Sequence, residues 1–474
     1  MNDYTKKLTT HREFHPISDL DCSVESDRGR IISAPSFRRL QKRTQVFALE
    51  LNAAVRSRLT HSLEVSQTAR FIAKTILKKL HDRNMREFEN AFISTVEMAS
   101  LLHDIGNPPF GHFGETVING WMEKCCDEIL LNIYGNENVK ERLKQDLSSY
   151  DGNAQAIRIV HKLQRLNLSY TQTASILKYT RGAFQDISLN EDFSYLEKKT
   201  GYYFSEKNFV ETICNTLDIK PGHRFPLTYI MEAADDISYL SADLEDAVDK
   251  GILTLDTIYQ LIKVESYNVN DKYSTNETML LDIVEENYFK AKEKEDEPYQ
   301  FNMFLTLTRA QLISKLVEYV ADLYVKHHNA IFEGSFNSAL LEYNKYHECS
   351  IAIEILQNIS KKHIYSHELV QNLELKGYAI IQGLLNIYKP LLQLTSYEFE
   401  MILKGKEIKC IICKNLVSRL SKKHVAAYKK SVKELENNEN EDVLEWYYRA
   451  RLVIDYISGM TDDYSLYEYQ ALTA

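Results

Sequence analysis

Helix breakers are scarce along this chain of 474 residues, and several of them crowd into one short stretch. Only 16 glycines and 8 prolines occur, well under the average usages of about 7% and about 5%, so most of the chain is free to run as long helices. The stretch 101–115 reads Leu-Leu-His-Asp-Ile-Gly-Asn-Pro-Pro-Phe-Gly-His-Phe-Gly-Glu and sets His103, Asp104, His112 and Glu115 among two prolines and three glycines. An apolar helical run enters it, Gly106 stops that helix, and Pro108 and Pro109 forbid its continuation. A purely structural segment has no need of that mixture. The expected class is therefore all-α, with the chemistry gathered where one helix ends and the next begins.

No run of about 18 apolar residues occurs, which excludes a spanning helix, and the polar start has no apolar signal core; the expected location is the cytoplasm, away from membranes. Seven cysteines, an odd number scattered over the chain, fit reduced thiols better than a disulfide framework. The pair Cys410 and Cys413 lacks a second pair to complete a zinc site. A formal net charge of −10 disfavours a general nucleic-acid coat, because phosphate binding runs on lysine and arginine. An anionic substrate needs a local basic pocket on this acidic body.

In chain order, Pro35 suits a first helical turn. Arg38, Arg39, Lys42 and Arg43 then give a positive face that serves either as a solvated surface or as phosphate contacts. Residues 54–80 read as a long amphipathic helix with His61 in the stripe of Val65, Ala69, Ile72 and Ile76, and with Arg58 one turn earlier. The next apolar helix, 90–103, ends in His103 and Asp104. A buried aspartate costs several kcal/mol unless a cation compensates it, and a metal supplies that cation. His112 and Glu115 stand at i, i+3 in the following helix, 112–132, on one face, so the carboxylate can orient the imidazole as acid/base catalysis requires. Asp151 opens another helix with Asn153 as a polar contact, and Lys178 and Tyr179 lie side by side at a helix end.

Residues 183–225 show no clean period and read as a loop or insertion. Pro226 then starts a helix that ends at Gly251. In it Asp235, Tyr239 and Asp243 follow at i, i+4, an acid–aromatic–acid stripe that faces inward. Residues 262–300 read as an exposed connection, 301–330 and 334–357 as amphipathic helices, and 366–395 as an apolar-rich helix. The expected division is a catalytic core over 1–260 and a helical C-terminal region over 261–474. His61, His103, Asp104 and Asp235 assemble around one divalent cation. Imidazoles with carboxylates suit Mn, Fe, Co, Ni or Zn, and hold Mg more loosely. Two octahedral positions remain for water and substrate.

The ligand pattern His61, His103–Asp104 and Asp235 resembles the HD-domain phosphohydrolase superfamily. The blocks Ser-Phe-Arg-Arg-Leu-Gln-Lys-Arg-Thr-Gln-Val from Ser36, Arg-Leu-Thr-His-Ser from Arg58, the stretch from His103 to Glu115, Glu-Ala-Ala-Asp-Asp-Ile-Ser-Tyr from Glu232, and Asp-Tyr-Ile-Ser-Gly-Met-Thr-Asp from Asp455 closely resemble bacterial deoxyguanosinetriphosphate triphosphohydrolases over nearly the whole chain.

The resemblance implies a helical HD core with an additional C-terminal helical region. It also implies Mn- or Mg-dependent hydrolysis of a deoxynucleoside triphosphate, dGTP preferred, to deoxynucleoside and tripolyphosphate. The alternatives are a broader dNTP triphosphohydrolase or another HD nucleotide phosphohydrolase. By the same resemblance, His61, His103, Asp104 and Asp235 look like metal ligands and His112 and Glu115 like the catalytic pair. Gln45 and Asp243 look like readers of the sugar 3′-hydroxyl, and Tyr239 like the ring stacked on the deoxyribose. Arg58, Lys178 and Tyr179 look like phosphate contacts, and Asn153 like a holder of water or phosphate. Glu374 looks like a base reader paired with a later arginine, and Arg419 is the only arginine between 400 and 448. The implied assembly is a homo-oligomer, a hexamer, with single-stranded DNA as a further partner.

Overall fold

A computed structural model describes residues 3–473 apart from 51, 53, 81–82, 188–190, 407–408 and 436–437. Helix accounts for 71% of the chain and strand for 2%, so the all-α expectation holds. Among the described residues no helix is long and apolar enough to cross a membrane.

The helices Arg58–Leu80, Glu89–Leu102, Pro226–Asp249 and Glu297–Lys326 pack on one another. Their shared core includes Val65, Ile72, Ile76, Phe92, Val96, Ile230, Ala234 and Val320. Glu89–Leu102 is buried without a break from Ala91 to Leu102. A helix buried on every face, here including Ser94, Thr95, Glu97 and Ser100, is held from every side, and this one fixes His103 at its end. A second core joins Gly111–Glu128, Glu368–Tyr388 and Glu441–Ser458 through Ile118, Met122, Ile381, Leu385, Trp446 and Ile454. The 101–115 stretch begins in a third cluster, where Leu101, Leu102 and Ile105 meet Phe37, Leu40 and Ile157, and its Phe110 and Phe113 pack against the second core.

Two contacts tie that stretch to the end of the chain. Buried Arg43 donates to the carbonyls of Ile105 (3.3 Å) and Asn107 on one side, and of Ser458 (2.6 Å) and Met460 (2.9 Å) on the other. Asp462 accepts from the N–H of Phe110 (3.1 Å) through one oxygen and from Thr44 N (3.0 Å) through the other. The positive face of 38–43 is thereby resolved. Arg43 is a structural clamp, Lys42 pairs with Asp463 at 3.4 Å, and Arg38 donates to the Ser33 carbonyl. Gly106 is required by close approach, since a Cβ there would stand 1.9 Å from the Gly152 carbonyl oxygen and 2.5 Å from Ala156 N.

Several expectations are corrected. Residues 183–225 are not a plain loop: Arg181–Gly182 pairs in parallel with Thr200–Tyr202, and Lys207–Thr216 is a helix. The exposed connection expected at 262–300 consists of the helices Leu255–Tyr273 and Met279–Lys294 and the first turn of Glu297–Lys326. There the apolar residues Ile258, Ile262, Val269, Leu280, Val284 and Ala291 are buried beneath a charged outer face, and the charge masked the period. Within 334–357 the helix begins only at Glu348, capped by His347, and the preceding helix His328–Glu333 ends at Gly334, whose φ of +80° sets it hard against the backbone of Arg224. Cys410 and Cys413 are paired as a disulfide rather than free, with the cysteines at the cap and first turn of Ile411–Arg419. Cys22, Cys125, Cys126, Cys214 and Cys349 are free.

Candidate active site

Three helices deliver ligands to one point. His61 lies in the first turn of Arg58–Leu80, His103 directly follows Glu89–Leu102, and Asp235 lies on Pro226–Asp249. Asp235 Oδ1 is 3.1 Å from His61 Nε2 and 3.4 Å from His103 Nε2. Ligating atoms of all three residues lie within 4.8 Å of one another. His103 Nδ1–H donates to the Ser100 carbonyl at 2.6 Å, which leaves the Nε2 lone pair facing the cluster, the usual outer support of a metal-ligating imidazole. Burial pushes the Asp235 carboxyl up, but His103 and the hydrogen bond from His61 outweigh it and hold the group well below the usual carboxylate range. Two imidazole nitrogens and an ionised carboxylate converging on one largely buried point are a donor set that fits a divalent transition ion.

Asp104 takes a different orientation. Its Oδ2 is 3.5 Å from His103 Nε2 but bonds Arg58 at 2.5 Å, and its Oδ1 accepts from Asn107 Nδ2 at 2.5 Å. Burial raises the Asp104 carboxyl, and Arg58 with His103 brings it down to about 2. The structure thus brings three of the four expected ligands to one point and sets Asp104 at its edge, on the Arg58 guanidinium.

His112 and Glu115 face each other as their spacing implies, Nδ1 to Oε2 at 2.8 Å. Glu115 Oε1 accepts the N–H of Gly152 at 2.7 Å, so the first turn of Gly152–Arg158 locks the carboxylate. The hydrogen bond to Glu115 raises the His112 pKa above that of a free imidazole, against the lowering effect of burial. Phe110, with φ of 62°, caps the helix and turns His112 outward.

A cavity of about 260 Å³ opens beside His112, lined by Gln45, Arg58, Phe110, Tyr239, Tyr365 and Glu374 among others. Tyr365 donates to Asp243 and meets the Tyr239 hydroxyl. Burial pushes the Asp243 carboxyl up to about 7, opposed by Tyr365. Its Oδ1 and the Gln45 Oε1 are buried acceptors without a hydrogen-bond partner. Glu374 enters from Glu368–Tyr388, and burial raises its carboxyl. Gly377 of that helix lies flat on the Phe110 ring.

Asn153, Lys178 and Tyr179 do not line this cavity. Asn153 Nδ2 donates to Asp151 at 2.7 Å. Lys178 stands 3.6 Å from Glu232, and Tyr179 lies among Lys178, Lys198 and Arg224 at 5.9–6.0 Å. Arg419 is held by buried Glu468 and does not line the cavity.

Sequence reasoning did not single out Tyr365, Asn107, Gly152 or Asp236. Asn107 and Asp236 stood inside quoted motifs, so their neighbours were a signal. Burial pushes the Asp236 carboxyl up to about 8 against the pull of Lys178. Gly152 stood between Asp151 and Asn153, both marked at the opening of a helix, and Tyr365 had no local signal.

The HD domain family matches residues 58–179, and the phosphohydrolase-associated domain matches residues 409–471. Among curated proteins, the chain is similar to the deoxyguanosinetriphosphate triphosphohydrolases of two strains of Klebsiella pneumoniae and of Enterobacter sp. (strain 638). Each is 42% identical, over 100% of this chain and 99% of the relative. The HD match spans His61, His103 and the His112–Glu115 pair, and the full-length identity takes in Asp235. The chain therefore belongs to the deoxyguanosinetriphosphate triphosphohydrolase family of the HD superfamily.

Proposed function

We propose that this protein hydrolyses dGTP to deoxyguanosine and inorganic tripolyphosphate at the cavity beside His112. The observation that carries the reading is that Arg58 both lines the cavity and pairs with Asp104 at the edge of the His61, His103 and Asp235 cluster, while the same cavity is lined by His112, held by Glu115, and by the orphaned acceptor of Gln45. His61, His103 and Asp235, with Asp104 beside them, would hold a divalent ion, Mn or Mg. A divalent ion there supplies Lewis-acid stabilisation of the α-phosphate and activates water.

The remaining roles fall to the chain. Glu115, fixed by Gly152 N–H, holds His112 Nδ1 so that Nε2 delivers a proton to the leaving 5′-oxygen. Arg58 and Lys178 neutralise charge on the triphosphate, with Tyr179 and Asn153 at its margin. The 3′-hydroxyl of the sugar donates its one proton to Asp243 Oδ1, relieving an unsatisfied-group cost of about 1–3 kcal/mol, and accepts from the Gln45 amide. Tyr239, held by Tyr365, covers the sugar face where a 2′-hydroxyl would stand and so favours deoxy substrates. Glu374 accepts from the donor edge of the base.

In this reading residues 1–260 form the catalytic core. Residues 261–474 contribute base recognition through Glu374 and contacts between copies of a cytoplasmic homo-hexamer, with single-stranded DNA as a further partner. One observation favours the broader dNTP reading: among the described residues, Arg58 is the only lysine or arginine lining the cavity with Glu374. Ion-exchange analysis of products after incubation with Mn²⁺ and each of the four dNTPs and GTP tests both readings. Deoxynucleoside with intact tripolyphosphate supports the reaction, and the relative rates rank the bases. Monophosphate with pyrophosphate, loss of a single phosphate, or no turnover refutes it.

A further inference from the structure

Between residues 401 and 433 the chain carries nine lysines and one arginine against one carboxylate, Glu407, although the whole protein has a net charge of −10. All nine lysines are exposed, and among the described residues only Lys404 forms an ion pair. Lys423 and Lys430 project from helix Lys422–Lys433 toward the π-turn Ile159–Leu163. With Lys162 and Arg165 they line a separate cavity of about 250 Å³.

Four cations meet there around one acid, Glu13, whose Oε2 is 3.5 Å from His161 Nε2. None of the four forms an ion pair among the described residues, and Arg165 rests over the Phe14 ring at 5.2 Å. His161 is clamped flat on Phe209, with centroids 3.8 Å apart, and its buried Nδ1 meets no hydrogen-bond partner. Burial, with the charges of Lys162 and Lys430, pushes its pKa down to about 3, so the ring is neutral. A concentration of like charge on an otherwise acidic body is unfavourable by itself and attracts a polyanion. Lysine serves as a point-charge phosphate binder. The volume is below the ~300–1,000 Å³ of sites that enclose a drug-sized ligand, which suits a phosphate chain with any nucleoside left outside.

We propose that the cavity between the His161 turn and helix Lys422–Lys433 binds a short oligophosphate, either free or as the tail of a nucleotide. The site is distinct from the catalytic cavity and goes beyond the hydrolase reading. It sits on the same continuous helical stretch that begins with Gly152, roughly 14 Å farther along at about 1.5 Å per residue.

Isothermal titration calorimetry of the full chain in EDTA, with sodium tripolyphosphate in one arm and ATP in the other, tests the proposal. The wild-type protein, K423Q/K430Q and the single variant K162Q are compared, with melting curves to show that each is folded. The expected result is a binding event weakened at least tenfold in K423Q/K430Q and several-fold in K162Q. Tripolyphosphate binding as tightly as ATP assigns the site to the free anion; ATP binding tenfold tighter assigns it to a nucleotide tail. Unchanged affinity and stoichiometry in the folded double variant overturn the proposal. Turnover is not read in this titration, so its failure leaves the catalytic reading untouched.

Discussion

Replacing Gly152 by alanine adds a single methyl group and removes no functional group, yet it is expected to disable the site. Gly152 lies in a helix and its backbone does not take a positive φ, so the main chain accepts alanine, which gains up to about 1 kcal/mol in helix propensity. The methyl carbon, however, would lie 2.0 Å from Asn107 Oδ1 and 3.2 Å from Glu115 Oε1. Real contacts of this kind do not fall below 3.0 Å, so the Asn107 amide must retreat by about 1 Å. That breaks its 2.5 Å hydrogen bond to Asp104 and disturbs the 2.7 Å contact that fixes Glu115. Overpacking of this size costs about 1–3 kcal/mol of stability, tolerable in a large helical protein. A misplacement of about 1 Å at a catalytic group lowers the rate by about 100-fold, equivalent to ~2.7 kcal/mol in the barrier. Steady-state kinetics on dGTP, with a melting curve and metal content for each variant, is the assay. The expected outcome is a kcat about 100-fold lower with a modest change in KM. Gly120→Ala, where nothing stands within 4 Å, is the control and should match the unaltered protein. A folded Gly152→Ala protein with kcat within threefold of the original would refute the reasoning.

Three further outcomes follow from the same geometry. His112→Ala should lower kcat by about 100-fold or more while metal content stays the same; an unchanged rate removes the imidazole from the mechanism. A general acid works in its protonated form, so kcat should fall as pH rises through the raised His112 pKa. Glu115→Gln withdraws the main cause of that raise, so the alkaline limb should move to lower pH, toward the ~6.5 of a free histidine, and a stationary limb contradicts the assignment. His103→Ala should reduce Mn²⁺ retained after dialysis, read by mass spectrometry of the metal, because it removes one of three converging donors; full retention places the ion elsewhere. Tyr365→Phe leaves Asp243 and Tyr239 without their hydroxyl partner and should raise KM for dGTP by about tenfold, the equivalent of ~1.4 kcal/mol, with kcat little changed.

What could be read before the structure was what lies close in sequence. Regular helix geometry turns spacing into a shared face, so His112 with Glu115 and the Asp235, Tyr239, Asp243 stripe were legible from their intervals alone. The scarcity of glycine and proline determined the all-α class, and Ala91, Phe92, Val96, Ala99, Leu101 and Leu102 marked an apolar helix, though not that its Ser94, Thr95, Glu97 and Ser100 are buried too. Where a charged outer face overlies a narrow apolar stripe, as in the helices Leu255–Tyr273 and Met279–Lys294, the sequence reads over 262–300 as a connection. Whatever depends on distant segments was decided by packing. Asp104 meets Arg58 from 46 positions away, Glu115 is locked by Gly152 from 37, and Asp243 is capped by Tyr365 from 122. No interval encodes such pairs. They exist because the apolar clusters that take up Leu101, Leu102 and Ile105 at one end of the stretch and Phe110 and Phe113 at the other fix it against helices from distant parts of the chain. The sequence alone thus marked His61, His103, Asp104, Asp235, His112 and Glu115 as candidates; their mutual orientation, with Asp104 turned to Arg58 and His61, His103 and Asp235 converging, was left to tertiary packing.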